Sequence, residues 1–246
     1  MAIASTYREK IYSYYLGKEV DPDLFIQQLD QTQMNRQFRE WWRKYLPTNQ
    51  HAPILDLGCG WGSFLSFLNS EGYTNLSGVD SSAQQVEIAH RLGLKNVKVG
   101  DVFETLKNCK NHYACITAFN LLEHLNKEDV LPFLEAVFNA LKPGGILLLE
   151  LPNGNSLFGS RTRYWDFTHE SSFTPTSLNQ ILSVSGFADV QLAERAPVAH
   201  GIKSAVRILL WKMIRQVIKF YLLVEQGAVG YPIFAQDMHV RARKPN

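Results

Sequence analysis

Residues 54–62, Ile-Leu-Asp-Leu-Gly-Cys-Gly-Trp-Gly, run an apolar segment of strand length into a turn with glycine at every second position. The segment is too short for a helix and too apolar for a surface loop, so it reads as a buried strand. The turn then hands the chain to a helix beginning at Ser63. Strand, glycine turn and helix in that order begin an α/β unit in which a ligand lies across the strand's carboxyl end. Side chains at Gly58 and Gly60 would obstruct close approach of the turn's backbone to that ligand. Asp56, at the strand end, can neutralise or hydrogen-bond a cationic ligand group. A glycine-rich turn alone is weak evidence, because nicotinamide and flavin proteins use one too. This one has Gly-x-Gly-x-Gly after an acid and lacks the final Gly-x-x-Gly that would seat a pyrophosphate on the helix N-terminus. It suits a ligand without phosphates.

The same texture continues downstream. Apolar runs 54–57, 76–79, 97–99, 114–119 and 146–151 fit buried strands, and helical stretches lie near 63–70, 82–92, 102–107 and 127–141. The last of these is closed by Lys-Pro-Gly-Gly. This alternation predicts a mostly parallel sheet with helices on both faces and right-handed crossovers. After residue 151 come a long polar, aromatic loop to about 174, a helix over 175–185 and a strand over 188–193. An apolar, basic helix over 202–225 and a last strand over 236–243 follow. Ahead of the first strand, Leu24, Phe25, Leu29, Phe38, Trp41, Trp42 and Tyr45 recur at helical spacing until Pro47. The expected organisation is an N-terminal helical cap over 1–50 and one domain over 51–246. Within that domain the core is 53–195, a helical insertion covers about 197–235, and the last strand is about 236–243.

Acids close three successive strands. The second ends Gly-Val-Asp80-Ser81, where a carboxylate can accept both hydroxyl protons of a ribose. The third ends Gly-Asp101-Val102, where a carboxylate can accept from an adenine amine. The fourth ends Phe-Asn120-Leu121-Leu-Glu-His, in the crevice beside the first. Each acid taken singly reads equally well as a helix N-cap. All three together with the glycine turn form a constellation.

These motifs, ILDLGCGWG, GVDSS, GDV, FNLLEHL and LKPGGILLLELPN, resemble the core of the class I S-adenosylmethionine-dependent methyltransferases over residues 53–151. The resemblance implies a Rossmann-like α/β fold, a seven-stranded, mostly parallel sheet with its last strand antiparallel. It also implies S-adenosylmethionine across the strand tips, with S-adenosylhomocysteine as product. Carried over by position, Asp56, Gly58, Cys59 and Gly60 line the methionine part and Asp80 with Ser81 holds the ribose. Asp101 and Val102 meet the adenine, and Asn120 and Leu121 close the site near the sulfonium. The segment DFTHESSFTPTSLNQILSVSGF resembles the ubiquinone-biosynthesis-like methyltransferases, especially bacterial glycan and natural-product pathway members, which suggests a sugar or glycan hydroxyl as acceptor. Those ubiquinone-pathway relatives carry an acid three residues before the Glu-His pair, forming a metal site. Asn120 stands there instead, so no bound metal is expected.

Methyl transfer from a sulfonium has a good leaving group, so the protein chiefly aligns the nucleophile and, for a hydroxyl, removes its proton. A base is therefore expected on the loops after the fourth and fifth strands, where His124 and His169 stand. Histidine suits the task because its pKa lies near operating pH. His169 is the expected base and His124 a residue tying its loop to the sheet; each also reads as a structural loop histidine. Asn153, Arg163, Tyr164 and Trp165 are the candidate acceptor-binding residues and suit a polar, anionic or sugar-bearing molecule. Methylation of a metabolite nitrogen or carboxylate, or a non-catalytic cofactor-binding scaffold, are the alternatives.

Lys203, Arg207, Lys212, Arg215 and Lys219 cover one half of the helix over 202–221, and Ala205, Val206, Leu209, Met213, Val217 and Phe220 fall mainly on the other. Two readings stand: peripheral contact with an anionic membrane surface, or a lid packed on the domain with its basic face in water. The formal net charge of the 246 residues is only +2, and no appended binding domain is visible, so no nucleic-acid partner is expected. Cys59, Cys109 and Cys115 are odd in number and irregularly spaced, which fits reduced thiols. With no signal-like run after Met1, the expected location is the cytoplasm.

Overall fold

Every residue of β1 (Ile54–Leu57) is buried, because helices cover both faces of the sheet around it. The computed structural model describes residues 7–12 and 21–246; the N-terminal expectation for 1–6 and 13–20 lies outside the described residues. The other strands are β2 (Leu76–Asp80), β3 (Val97–Val99), β4 (Tyr113–Phe119), β5 (Leu141–Pro152), β6 (Ala188–Glu194) and β7 (Asp237–Arg243). They form one sheet in the order β3-β2-β1-β4-β5-β7-β6. The pairs joining β1 to β5 are parallel, and β7 runs antiparallel between β5 and β6. The chain leaves β1 toward one edge and returns to its other side at β4. That reversal opens a crevice at the carboxyl ends of β1 and β4.

The helices are α1 (Tyr7–Tyr12), α2 (Pro22–Gln27), α3 (Gln31–Trp42), α4 (Ser63–Ser70), α5 (Ala83–Arg91), α6 (Val102–Leu106), α7 (Lys127–Ala140), α8 (Gly159–Trp165), α9 (Pro175–Val184) and α10 (Ile202–Gln226). Side-chain caps begin several of them. Asp21, Asp30, Ser82 and Asp101 each accept from backbone N–H groups of a first turn, and Thr174 and Ser177 form a capping box. Such caps are each worth about 1 kcal/mol.

Strand alternation splits the core in two. Leu55, Leu57, Ile116, Leu147 and Leu149 face a layer with Phe133, Val137 and Leu178. Ile54, Cys115 and Leu148 face the opposite layer with Trp42, Phe64, Phe67 and Leu68. Truncating a fully buried ring such as Phe67 to alanine would cost about 3–5 kcal/mol. Trp42 ties α3 into this second layer, stacked on Phe119 of β4 with ring centroids 4.7 Å apart.

Three expectations need correction, and one N-terminal residue lies differently from its neighbours in the pattern. The fifth strand begins at Leu141, not 146, because Gly144 (φ +73°) turns within Lys-Pro-Gly-Gly while the backbone keeps pairing with Lys244. The loop after residue 151 contains α8, whose seven residues have no side-chain N-cap and so no start signal. Leu24, among the apolar residues at helical spacing before the first strand, is exposed. The basic helix does not bury its apolar half: Val206, Leu209, Met213, Val217 and Phe220 are all exposed, and α10 packs through a different stripe.

Candidate cofactor and acceptor site

The glycine turn after β1 is built on left-handed backbone, with Gly58 at φ +69° and Gly60 at φ +54°. Its amides are tied to the end of β2: Gly58 N–H and Cys59 N–H donate to the Val79 carbonyl (2.9 and 3.1 Å), and Gly60 N–H donates to Asp80 Oδ2 at 2.7 Å. A Cβ on Gly58 would stand 3.2 Å from Leu121 Cδ1, and one on Gly60 would stand 2.8 Å from Gln85 Oε1. The left-handed backbone is what favours glycine at these positions; the crowding is against flexible side-chain ends that can shift. Gly62 is likewise left-handed, at φ +79°, where it caps α4; a Cβ there would push aside the Leu94 Cδ1 methyl, 2.4 Å away.

The turn forms one wall of a cavity of about 530 Å³ at the strand ends, within the usual range for small-molecule sites. Asp56, Gly58, Cys59, Gly60, Asp80, Ser81, Asp101, Val102, Asn120 and Leu121 all line it. Asp56 is buried and accepts the Thr117 hydroxyl at 2.6 Å; burial pushes its carboxyl up to about 7. Asp80 accepts from Ser82 N–H (2.8 Å) as well as from Gly60 N–H, and burial raises it too. Each of its oxygens keeps a further lone pair. Asp101 does cap α6, accepting from Phe103 and Glu104 N–H groups through Oδ1 alone (2.8 and 3.0 Å). Both the N-cap reading and the cavity reading thus describe it. Asn120 sits at φ +50° with its N–H donating to the Glu150 carbonyl at 2.7 Å. A strained, non-glycine residue of this kind needs its surroundings to hold it. Two buried acids with raised pKa facing one cavity call for a ligand with hydroxyl donors and positive charge, and S-adenosylmethionine carries both.

His124 occupies a 3₁₀ turn (Leu122–His124) after β4 and lines the same cavity. Its Nδ1 lies 2.8 Å from Thr168 Oγ1, whose hydroxyl donates to Asp166 Oδ1 at 2.7 Å. Because that hydroxyl proton is already used, His124 Nδ1–H is the donor and Nε2 is the basic nitrogen. Burial pushes Asp166 up, but the Thr168 N–H and hydroxyl and the two histidines outweigh it and hold the carboxyl below its ordinary value. His169 packs edge-on against His124 with centroids 4.7 Å apart, and its Nδ1–H donates to the Thr162 carbonyl at 3.0 Å. It is not among the cavity-lining residues.

Between them lies Glu123, buried, with neither carboxylate oxygen hydrogen-bonded to a described residue. Burial pushes its carboxyl up to about 8. One ligand atom from each of Glu123, His124 and His169 lies within 4.8 Å of the others. Asn120 is thus no sufficient ground for expecting no metal, since His169 supplies a third potential ligand from a loop far along the chain.

The four acceptor candidates do not line the cavity. Asn153 is fully buried; its Nδ2 donates to the Ile233 and Ala235 carbonyls (3.0 and 2.9 Å) and its Oδ1 accepts from Asn155 N–H. Arg163 donates to the His169 and Glu170 carbonyls, bracing the loop that carries the histidine. Tyr164 and Trp165 are 77% and 73% exposed. Phe38, Trp61, Phe119, Glu150 and Arg195 do line the cavity and escaped the sequence reading. Glu150 had a visible signal, an acid inside Leu-Leu-Leu-Glu-Leu. It is buried, 2.9 Å from His239 Nε2 and 3.3 Å from Arg195 Nη1.

The sequence matches the family described as a methyltransferase domain over residues 30–192. Among curated relatives, the chain is 30% identical over 155 residues to EEF1A lysine methyltransferase 2 of Danio rerio, covering 49% of this chain and 66% of that protein. It is 27% identical over 96 residues to the cyclopropane-fatty-acyl-phospholipid synthase of Escherichia coli K12, covering 39% and 25%. The chain therefore spans a quarter to about two-thirds of the length of these relatives. Among solved structures, a SAM-dependent methyltransferase from Archaeoglobus fulgidus superposes with a TM-score of 0.64 at 22% identity, covering 98% of this chain and all of that one. Phosphoethanolamine N-methyltransferase 2 of Haemonchus contortus, in complex with S-adenosyl-L-methionine, gives 0.58 at 18% identity, covering 93% and 61%. The fold and the crevice agree with a family match over well more than half of the chain: this chain belongs to the family described as a methyltransferase domain, and it shares the fold of the SAM-dependent methyltransferase from Archaeoglobus fulgidus.

Proposed function

We propose that the chain methylates a hydroxyl of a small-molecule or sugar-bearing acceptor, with His124 as the general base and His169 as its positioning partner. The observation that carries this reading is the relay from Asp166 through Thr168 to His124 Nδ1, with His124 on the cavity wall. A half-buried acid acting through a hydroxyl in this way can fix the tautomer of an imidazole, as a directly bonded acid does in a catalytic triad. The cofactor positions are Asp56, Gly58, Cys59 and Gly60 for the methionine part, Asp80 and Ser81 for the ribose, Asp101 and Val102 for the adenine, and Asn120 and Leu121 near the sulfonium. Bound there, S-adenosylmethionine supplies a methyl group on a good leaving group.

The protein's own work is then proton handling and alignment. His124 Nε2 would take up the proton that the acceptor hydroxyl gives up on methyl transfer. Asp166, through Thr168, stabilises the imidazolium so formed. Phe38 and Phe119 exclude water, which strengthens these interactions. Arg195, although paired with Glu150 and Asp237 (3.3 and 2.9 Å), is in place to meet an anionic or hydroxylated acceptor.

The test is incubation of the purified chain with methyl-labelled cofactor and a panel of sugars, phenols, carboxylic acids and amines. Label transferred to hydroxyl acceptors, and lost in His124→Ala, is the expected result. Label on amines alone, undiminished in His124→Ala, would place the chain with the nitrogen methyltransferases and remove the base from the mechanism.

A further inference from the structure

α10 has two opposite faces, and only one is explained by the fold. Ser204, Ile208, Trp211, Arg215, Ile218 and Leu222 recur at three- and four-residue intervals and, with Lys219 beside them, are its least exposed positions. Arg215 pins this stripe to the sheet through Glu194 (3.3 Å) and the Pro232 carbonyl (3.1 Å). On the far side, Ile202, Val206, Met213, Val217, Phe220 and Val224 fall within a sector of about 60° at about 100° per residue. All six are at least half exposed, from 51% at Val206 to 86% at Ile202. A monomeric soluble domain seldom leaves such a continuous stripe in water.

The borders of the stripe say what covers it. Lys203 and Arg207 lie along one edge, Lys212 and Lys219 along the other, and Glu225 is the helix's one acid. Among the described residues none of these four cations is in an ion pair. A second copy of the helix laid on this face would bring the same cations against each other with almost no acid to meet them. An apolar stripe flanked by lysine and arginine instead matches a bilayer surface with anionic headgroups, where the ring and aliphatic groups enter the acyl boundary and the cations meet phosphates. No described helix is long and apolar enough to cross a membrane, so the helix would lie in the interface plane.

Topology puts the attachment of this helix beside the candidate site. β6 ends where β7 begins, and β7 begins beside the carboxyl end of β5, so the insertion carrying α10 leaves and rejoins the sheet at the crevice edge. Arg195, one residue past β6, lines the cavity. α8 follows β5 at that same edge, with Leu157, Phe158, Trp165 and Phe167 exposed around Arg161.

We infer that α10 docks the protein on anionic membrane surfaces, holding the crevice edge near the lipid so that an amphiphilic, membrane-borne acceptor can reach it. The acceptor class rests on the proposed transfer to a hydroxyl; the docking does not, and it is measured without turnover. The experiment is co-sedimentation of the full chain with vesicles of equal parts phosphatidylglycerol and phosphatidylcholine, and with phosphatidylcholine alone. The expected result is partitioning onto the anionic vesicles at least tenfold stronger than onto neutral ones, weakened by added salt. Lys203→Glu with Lys212→Glu should reduce it by a further tenfold or more, from about fivefold per charge. Val217→Asp with Phe220→Asp should abolish it while cofactor affinity, the control for folding, is unchanged. Equal binding to both vesicle types, or none to either, would overturn the inference. So would a dimer in light scattering that dissociates in Val217→Asp with Phe220→Asp, because the face would then be covered by a second copy.

Discussion

Glu123 offers a sharp physical test because it is a buried acid with neither oxygen hydrogen-bonded to a described residue. Burial moves its pKa from 4.5 to about 8. Below pH 4.5 the folded and unfolded chains both hold the proton, and the group contributes nothing to the pH dependence. Between 4.5 and about 8 the folded chain keeps a proton that the unfolded chain releases, so stability falls as pH rises through that window. At about 1.4 kcal/mol per tenfold change in proton affinity, the loss is capped at about 5 kcal/mol, and structural relaxation will reduce it. Glu123→Gln removes the titration and keeps the shape. The buried amide introduces a cost of its own, about 1–3 kcal/mol, that does not vary with pH. The readout is therefore the difference in urea-unfolding free energy between wild type and variant, followed from pH 5 to 8. Wild type should lose ground to Glu123→Gln steadily across that range, and Asp56, raised for the same reason, cancels in the comparison. If the difference is flat or moves in wild type's favour, Glu123 is ionised in the folded protein, held by histidinium or a metal ion. The reasoning from burial would then be wrong.

Two further outcomes bear on ligands. Asp80→Ala should weaken S-adenosylmethionine binding by about 1–3 kcal/mol in calorimetry if both ribose hydroxyls lose an acceptor; unchanged affinity would refute the ribose assignment. Turnover on a hydroxyl acceptor should survive a chelator, because His124 Nε2 must be free of metal to take a proton. Loss of turnover restored by magnesium or zinc would instead make Glu123, His124 and His169 a metal centre.

The sheet was legible because its strands obey simple rules. β1, β3 and α4 fall on the residues expected from apolar run length and the glycine turn alone. α8 was hidden because a seven-residue helix without a side-chain cap has neither period nor start signal. The residues lining the cavity at the strand ends were readable because backbone geometry constrains them: left-handed glycines and strand-end acids are visible one residue at a time. The acceptor side was not. Glu123, His124 and His169 meet through a loop 45 residues away, and Phe38 reaches the cavity from a helix preceding the domain core. No spacing rule connects such positions. Arg163 and Asn153 misled for a related reason: buried backbone carbonyls need donors as much as substrates do, and a sequence does not say which a polar side chain will serve.

The central claim, that His124 removes a proton from a hydroxyl acceptor, is met most directly by single-turnover rates at saturating cofactor across the pH range. The wild-type rate should rise with pH as an imidazole loses its proton. His124→Ala should bind cofactor normally, lose about 10²–10⁴-fold in the chemical step, and lose that rising limb. His169→Ala should slow the step by less and keep the limb, as a positioning residue would. A limb that vanishes in His169→Ala and persists in His124→Ala would reverse the two roles and contradict the account.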